Sequence, residues 1–205
     1  WEAKLRPDVI SCSAVVTACG KAAWQQGLSL LKRMWEVNLY SDVISYNAGM
    51  GLCDEAGQWK RALSLLGKMR GASLEPDVIT YNAAVNACKR GRQWRRALLL
   101  FRKMWEVSLE PDVISYHAGM STCNAGKHWQ GALSLLREMA KAKIELDVKS
   151  YNIGISADDK GRRWQWALAL FNELCEVQLE PDAISCSAGI SACDKGGQWQ
   201  RALLL

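Results

Sequence analysis

No Cys-x-x-Cys pair occurs among the eight cysteines, and the two histidines, His117 and His128, stand at no ligand-like spacing to them. A zinc centre therefore lacks its donors, and a disulfide framework is equally ill served, because Cys53, Cys88, Cys123 and Cys193 recur one to a repeat. Small buried thiols in a reducing compartment are the expectation. No apolar run approaches the roughly 20 residues that span a bilayer. No glycine-rich loop follows a strand, no strand pattern is present, and no nucleophile and base recur at workable spacing. The expectation is a chain that is not an enzyme, holds no metal or cofactor, and neither enters a membrane nor takes a small-molecule substrate. A net charge of +5 is mild and favours acidic partners without naming one.

What is present is periodicity. Tryptophans stand at Trp24, Trp59, Trp94, Trp129, Trp164 and Trp199, each 35 residues after the last. Aspartates at Asp8, Asp42, Asp77, Asp112, Asp147 and Asp182 keep the same interval except the first, which is 34, so one residue is missing between Asp8 and Trp24. A period of this length marks a solenoid, in which each repeat buries its apolar face only against its neighbours. The 205 residues divide into a tail, 1–8, full repeats 9–42, 43–77, 78–112, 113–147 and 148–182, and a partial repeat 183–205. This reads as one array entered and left inside a repeat. Places are counted from the residue after each aspartate, so Val43 holds place 1 and Asp77 place 35.

Within one repeat, Val43, Tyr46, Met50 and Cys53 fall at i, i+3, i+7 and i+10 and predict a first helix, with Asp42 placed to cap it. Gly57 breaks the pattern. Trp59, Ala62, Leu63, Leu66 and Met69 then predict a second helix, and Pro76 ends the repeat. The fold class is all-α, a superhelical α-solenoid of stacked antiparallel helix hairpins. The place-17 tryptophans could stack bases, but they share a stripe with the following Ala-Leu pair and are read as locking the second helix onto the first.

The opposite face of the first helix carries a second stripe at places 2, 5 and 9. It reads Ile44, Asn47, Gly51, then Ile79, Asn82, Asn86, then Ile114, His117, Ser121, and finally Ile184, Ser187, Ser191. Asparagine is a mediocre helix former, so its recurrence at the centre of a stripe points to contact with something outside the helix. Basic residues gather near the link between the helices, Lys89, Arg90, Arg92, Arg95 and Arg96 in one repeat and Lys160, Arg162 and Arg163 in another. Either a solvated face or a nucleic-acid backbone would account for them.

A 35-residue hairpin of the form Asp-Val-Ile-Ser-Tyr-Asn, Ala-Leu, Met, Pro-Asp resembles the pentatricopeptide repeat, in the pure form whose repeats share one length. Tetratricopeptide repeats run at 34 residues and carry their tryptophan in the first helix, whereas here it opens the second. The resemblance implies a superhelix that reads single-stranded RNA at one base per repeat. It implies that the polar residue at place 5 touches the base edge, that place 35 supports it, and that place-2 residues of adjacent repeats sandwich the ring. The pairs are Ser13 with Asp42, Asn47 with Asp77, Asn82 with Asp112, His117 with Asp147 and Asn152 with Asp182, and Ser187 begins another. The sandwiching residues are Ile10, Ile44, Ile79, Ile114, Lys149 and Ile184, with Lys149 standing where an aliphatic is usual. Lys21, Arg90, Lys160 and Lys195, at or near place 13, are the implied phosphate contacts.

Family usage assigns Asn with Asp to uracil and Ser with Asp to guanine, so the implied target is 5′-GUUNU-3′, with the His117 slot unread. An Asn amide can donate to one uracil carbonyl and accept from the ring N–H. The resemblance further implies work in a mitochondrion or chloroplast, on RNA processing, stability or translation, with RNA-processing factors as partners. The competing class is a protein-binding scaffold of tetratricopeptide type. A scaffold calls for a groove with apolar or charge clamps, whereas RNA binding calls for the aliphatic and small-polar stripe and a basic flank.

Overall fold

The computed structural model describes residues 18–19, 23–36, 42–160 and 164–203, and among these every regular element is helical. The helices are α1 (Trp24–Glu36), α2 (Val43–Glu55), α3 (Trp59–Gly71), α4 (Val78–Arg90), α5 (Trp94–Glu106), α6 (Val113–Ala125), α7 (Trp129–Lys141), α8 (Val148–Lys160), α9 (Trp164–Glu176), α10 (Ala183–Lys195) and α11 (Trp199–Ala202). The even-numbered helices up to α10 are the first helices of successive repeats, and each opens directly after its aspartate.

That start is built by side chains. Asp42, Asp77, Asp112 and Asp182 each accept from the backbone N–H three residues on, and the Ser or Thr at that third position accepts from the aspartate N–H in return. This reciprocal capping box satisfies two of the donors that a helix end leaves without partners. The exits are equally regular. Each fully described link turns through one residue in the left-handed region, which is Gly57 and Gly197 in two hairpins but Arg92 and Lys127 in others. Ser73, Ser108, Lys143 and Gln178 make the same turn after the second helices.

The chain forms two compact blocks, Trp1–Glu110 and Pro111–Leu205. In the first, α2 packs on both α3 and α4, and α4 packs on α5. Its interior holds Met50, Cys53, Ala62, Met69, Tyr81, Cys88, Ala97 and Met104, all fully buried. In the second, α6 packs on α7 and α8, and α8 on α9 and α10, around Tyr116, Met120, Cys123, Ala132, Met139, Ile155, Ala167, Leu174 and Cys193. These are the stripes read from the sequence. Each large apolar side chain so enclosed contributes about 1.5–3 kcal/mol. Burial pushes the Cys53 and Cys88 thiols up to about 11 and Cys123 to about 12, which keeps them protonated and unreactive.

The tryptophans do a second job beside the expected packing within their own repeat, where Trp164 lies on the cluster of Tyr151, Ile155 and Phe171. Trp24, Trp59, Trp94, Trp129 and Trp164 are only half-buried. Trp59 lies against the next first helix at Gly91, and Arg96 of the next second helix covers its ring at 4.0 Å. Arg61 covers Trp24 in the same way at 4.5 Å, and Trp164 lies against Gly196. Place 17 thus binds one repeat to the next, and the arginine stack adds a cation–π term.

Candidate nucleic-acid interface

The first turns of α4, α8 and α10 each bring three polar side chains together across a repeat boundary. Asn47 on α2 donates from Nδ2 to both carboxylate oxygens of Asp77, each at 3.3 Å. Thr80, on the first turn of α4, donates from Oγ1 to Asn47 Oδ1 at 2.6 Å and lies 2.7 Å from Asp77 Oδ1. Asn152 repeats the pattern in the second block. Its Nδ2 meets Asp182 at 3.0 and 3.1 Å, and the Ser185 hydroxyl meets its Oδ1 at 2.5 Å. A carboxylate only accepts, so the amide nitrogen must face the aspartate and the amide oxygen the hydroxyl.

His117 holds the same place on α6. Its Nε2 lies 3.0 Å from Asp147 Oδ1 and 2.9 Å from Ser150 Oγ. Facing a carboxylate, Nε2 carries the proton, which leaves Nδ1 of the neutral ring as an acceptor. Burial holds the His117 pKa below its ordinary value, with the Asp147 charge opposing that shift and Lys149 adding to it. Burial also works to raise Asp77 and Asp147. Hydrogen bonds from the side chain and backbone of Thr80 and Ser150 outweigh it, aided by Asn47 and by His117, and both carboxyls sit below the usual carboxylate range. Asp182 is lowered by the Ser185 backbone N–H and then by the Asn152 amide.

Beside Asn47 and His117 stands an exposed aliphatic, and the same place is exposed in other repeats. Ile44, Ile79, Ile114 and Ile184 are 63%, 66%, 62% and 61% exposed, close to one value in four repeats. Each lies one residue before the hydroxyl that closes a capping box, so burying it in the core would turn the capped end of the helix away. Lys149 is exposed at the same place. These isoleucines hold one place in four repeats, and each is left open to solvent among the described residues.

The remaining sequence-chosen residues are less assembled. Asn82 is buried at the start of α4 and Asp112 caps α6, and they belong to different blocks. Ser187 is exposed on α10. Asp42 caps α2, while its expected partner Ser13 lies outside the described residues, as do Ile10, Lys21 and the side chain of Lys160. Arg90 turns its Nε to Asp54 at 2.9 Å, so part of the guanidinium already serves a neighbouring repeat. Lys195 is exposed at the end of α10. The place-3 hydroxyls of Thr80, Ser150 and Ser185 were missed from sequence, where Ser or Thr three residues after a capping Asp reads only as the far side of a capping box.

Profiles described as the PPR repeat family and the PPR repeat match residues 41–90 and 79–109. No curated protein sequence matches the chain. Among solved structures, the pentatricopeptide repeat protein PPR10 from maize is similar at a TM-score of 0.79 and 23% identity, over 99% of this chain and 30% of PPR10. PPR10 in complex with an 18-nt psaJ RNA element is similar at 0.74 and 20%, over 97% of this chain and 29% of that one. The PPR domain of Arabidopsis thaliana protein-only RNase P 1, in complex with tRNA, is similar at 0.73 and 13%, covering 93% of this chain and all of that domain. The chain thus spans about 30% of the PPR10 length. Residues 41–109 thus carry pentatricopeptide repeats, and the chain as a whole keeps their 35-residue register and the stacked-hairpin fold of the solved arrays.

Proposed function

We propose that the chain binds single-stranded RNA, with each repeat presenting its place-5 side chain to one base. One recurring observation carries this reading: an amide or imidazole anchored to an aspartate at Asn47, His117 and Asn152, with an isoleucine more than 60% exposed beside the first two and Lys149 beside the third. The isoleucines suit the faces of bases and the anchored groups their edges. The RNA-bound PPR10 and the tRNA-bound RNase P domain support the same ligand class. The expected target is 5′-GUUNU-3′, with Asn47, Asn82 and Asn152 reading uracil, and the role is RNA processing, stability or translation in an organelle, without catalysis by these repeats.

The test is fluorescence-polarisation binding of the 205-residue chain to labelled RNA containing GUUNU and to its complement, at low and moderate salt. Preference for the first is the expected result. In Asn47→Ser the preferred base at that slot should move from uracil to guanine. Equal, salt-labile binding to both RNAs would overturn base reading and leave a basic surface, with a protein-binding scaffold as the better account.

A further inference from the structure

The hydroxyl at the start of each following repeat has no part in the base-reading pairs, yet it touches the group that would read the base. An amide presents its donor and acceptor side by side. The two pyrimidines offer the reverse order: uracil a carbonyl oxygen beside an N–H, cytosine an amino group beside a bare ring nitrogen. Turned over, the same amide would match cytosine. Holding the amide one way up therefore decides between the two.

Two contacts hold it, and they are unequal. The Asn47 amide reaches Asp77 only at 3.3 Å to either oxygen, beyond the usual 2.7–3.2 Å range for N–H···O, whereas the Thr80 hydroxyl sits 2.6 Å from Asn47 Oδ1. At Asn152 both contacts are made, the Ser185 hydroxyl at 2.5 Å and Asp182 at 3.0 and 3.1 Å, within the ordinary N–H···O range. Thr80 has one hydroxyl proton and two acceptors in reach. The hydroxyl lies 2.6 Å from Asn47 Oδ1 and 2.7 Å from Asp77 Oδ1, which also receives the Thr80 backbone N–H at 2.8 Å, so the one proton is shared between the two oxygens. Its share on Asn47 Oδ1 holds the amide oxygen toward the hydroxyl. One N–H and one lone pair of the amide then remain for a base, in fixed order.

We propose that Thr80 and Ser185 are specificity-determining positioning residues, each fixing the amide of the preceding repeat so that it accepts uracil over cytosine. The proposal rests on the RNA-reading function above. Ser150 occupies the same place beside His117, where there is no amide oxygen to receive its proton, so the device is confined to the asparagine slots.

The experiment compares the chain with Thr80→Val, which keeps the shape, and Thr80→Ser, which keeps the hydroxyl. RNAs differ only by U or C opposite the Asn47 repeat, with the same exchange opposite the Asn152 repeat as an internal control. In Thr80→Val the U-over-C ratio at the first position should fall about fivefold or more while the control ratio holds, and Thr80→Ser should stay within about twofold of the parent. Equal weakening toward U and C would make Thr80 a helix cap only and overturn the proposal. NMR of the RNA-free chain supplies a second readout that stands even if RNA binding fails. Thr80→Val should speed solvent exchange of the Asn47 side-chain amide and leave Asn152 unchanged, and unaltered exchange at Asn47 would overturn the proposal independently.

Discussion

His117 is the residue whose behaviour departs most from its neighbours. Where asparagine cannot titrate, an imidazole can, and burial depresses its pKa below 6.5 against the pull of Asp147. The folded state then binds fewer protons than the unfolded one near that pH. By linkage, its contribution to stability is complete above about 6.5 and is lost as pH falls through the lower folded value. Urea midpoints measured from pH 7.5 to 5 should decline in the parent, and His117→Asn should remove that His117-dependent part of the decline. An unchanged profile in the variant would place the titration elsewhere. Asp77 and Asp147 act in a separate window, since their lowered values keep their contributions present above about 4 and lose them only below.

At the scale of the helix pair, the joint between repeats turns on a glycine. A Cβ on Gly91 would lie 2.2 Å from Trp59 Cδ1, and one on Gly196 would lie 2.4 Å from Trp164 Cδ2. Gly91 has φ −78°, which any residue adopts, so the demand is for space and not for backbone freedom. The indole is a rigid ring with Arg96 over its face, so relief requires both side chains to shift. Gly91→Ala should therefore cost about 1–3 kcal/mol, as overpacking does, read as a lower denaturation midpoint with an altered Trp59 emission. Gly51, which has open space around its Cβ position, makes the matching control, and Gly51→Ala should be neutral or slightly stabilising.

For the molecule as a whole, affinity for a polyanion follows from how many cations face it. The proposed phosphate contacts, Lys21, Arg90, Lys160 and Lys195, would number four at most, and Arg90 is shared with Asp54. Binding to single-stranded RNA should then fall with salt at a slope no steeper than about −3 in log K against log salt. Arg90→Gln should reduce the slope by about 0.7 and weaken all RNAs alike, without changing base preference. A change of preference in that variant would contradict the division between phosphate and base contacts.

Much of this protein is written in its periodicity. The 35-residue interval, the apolar stripes from Val43 to Cys53 and from Trp59 to Met69, and the capping aspartates are local patterns, and local patterns suffice when each repeat meets only its neighbours. The Asn47 and Asn152 pairs with their aspartates were also legible, through family resemblance. What needed the tertiary structure lies across repeat boundaries. Thr80 reaching Asn47, Ser185 reaching Asn152, Trp59 resting on Gly91 beneath Arg96, and Arg90 turning to Asp54 join residues about one repeat apart. Sequence supplies the partners but not the stacking offset between hairpins, and that offset, set by how the buried side chains interlock, decides which hydroxyl meets which amide.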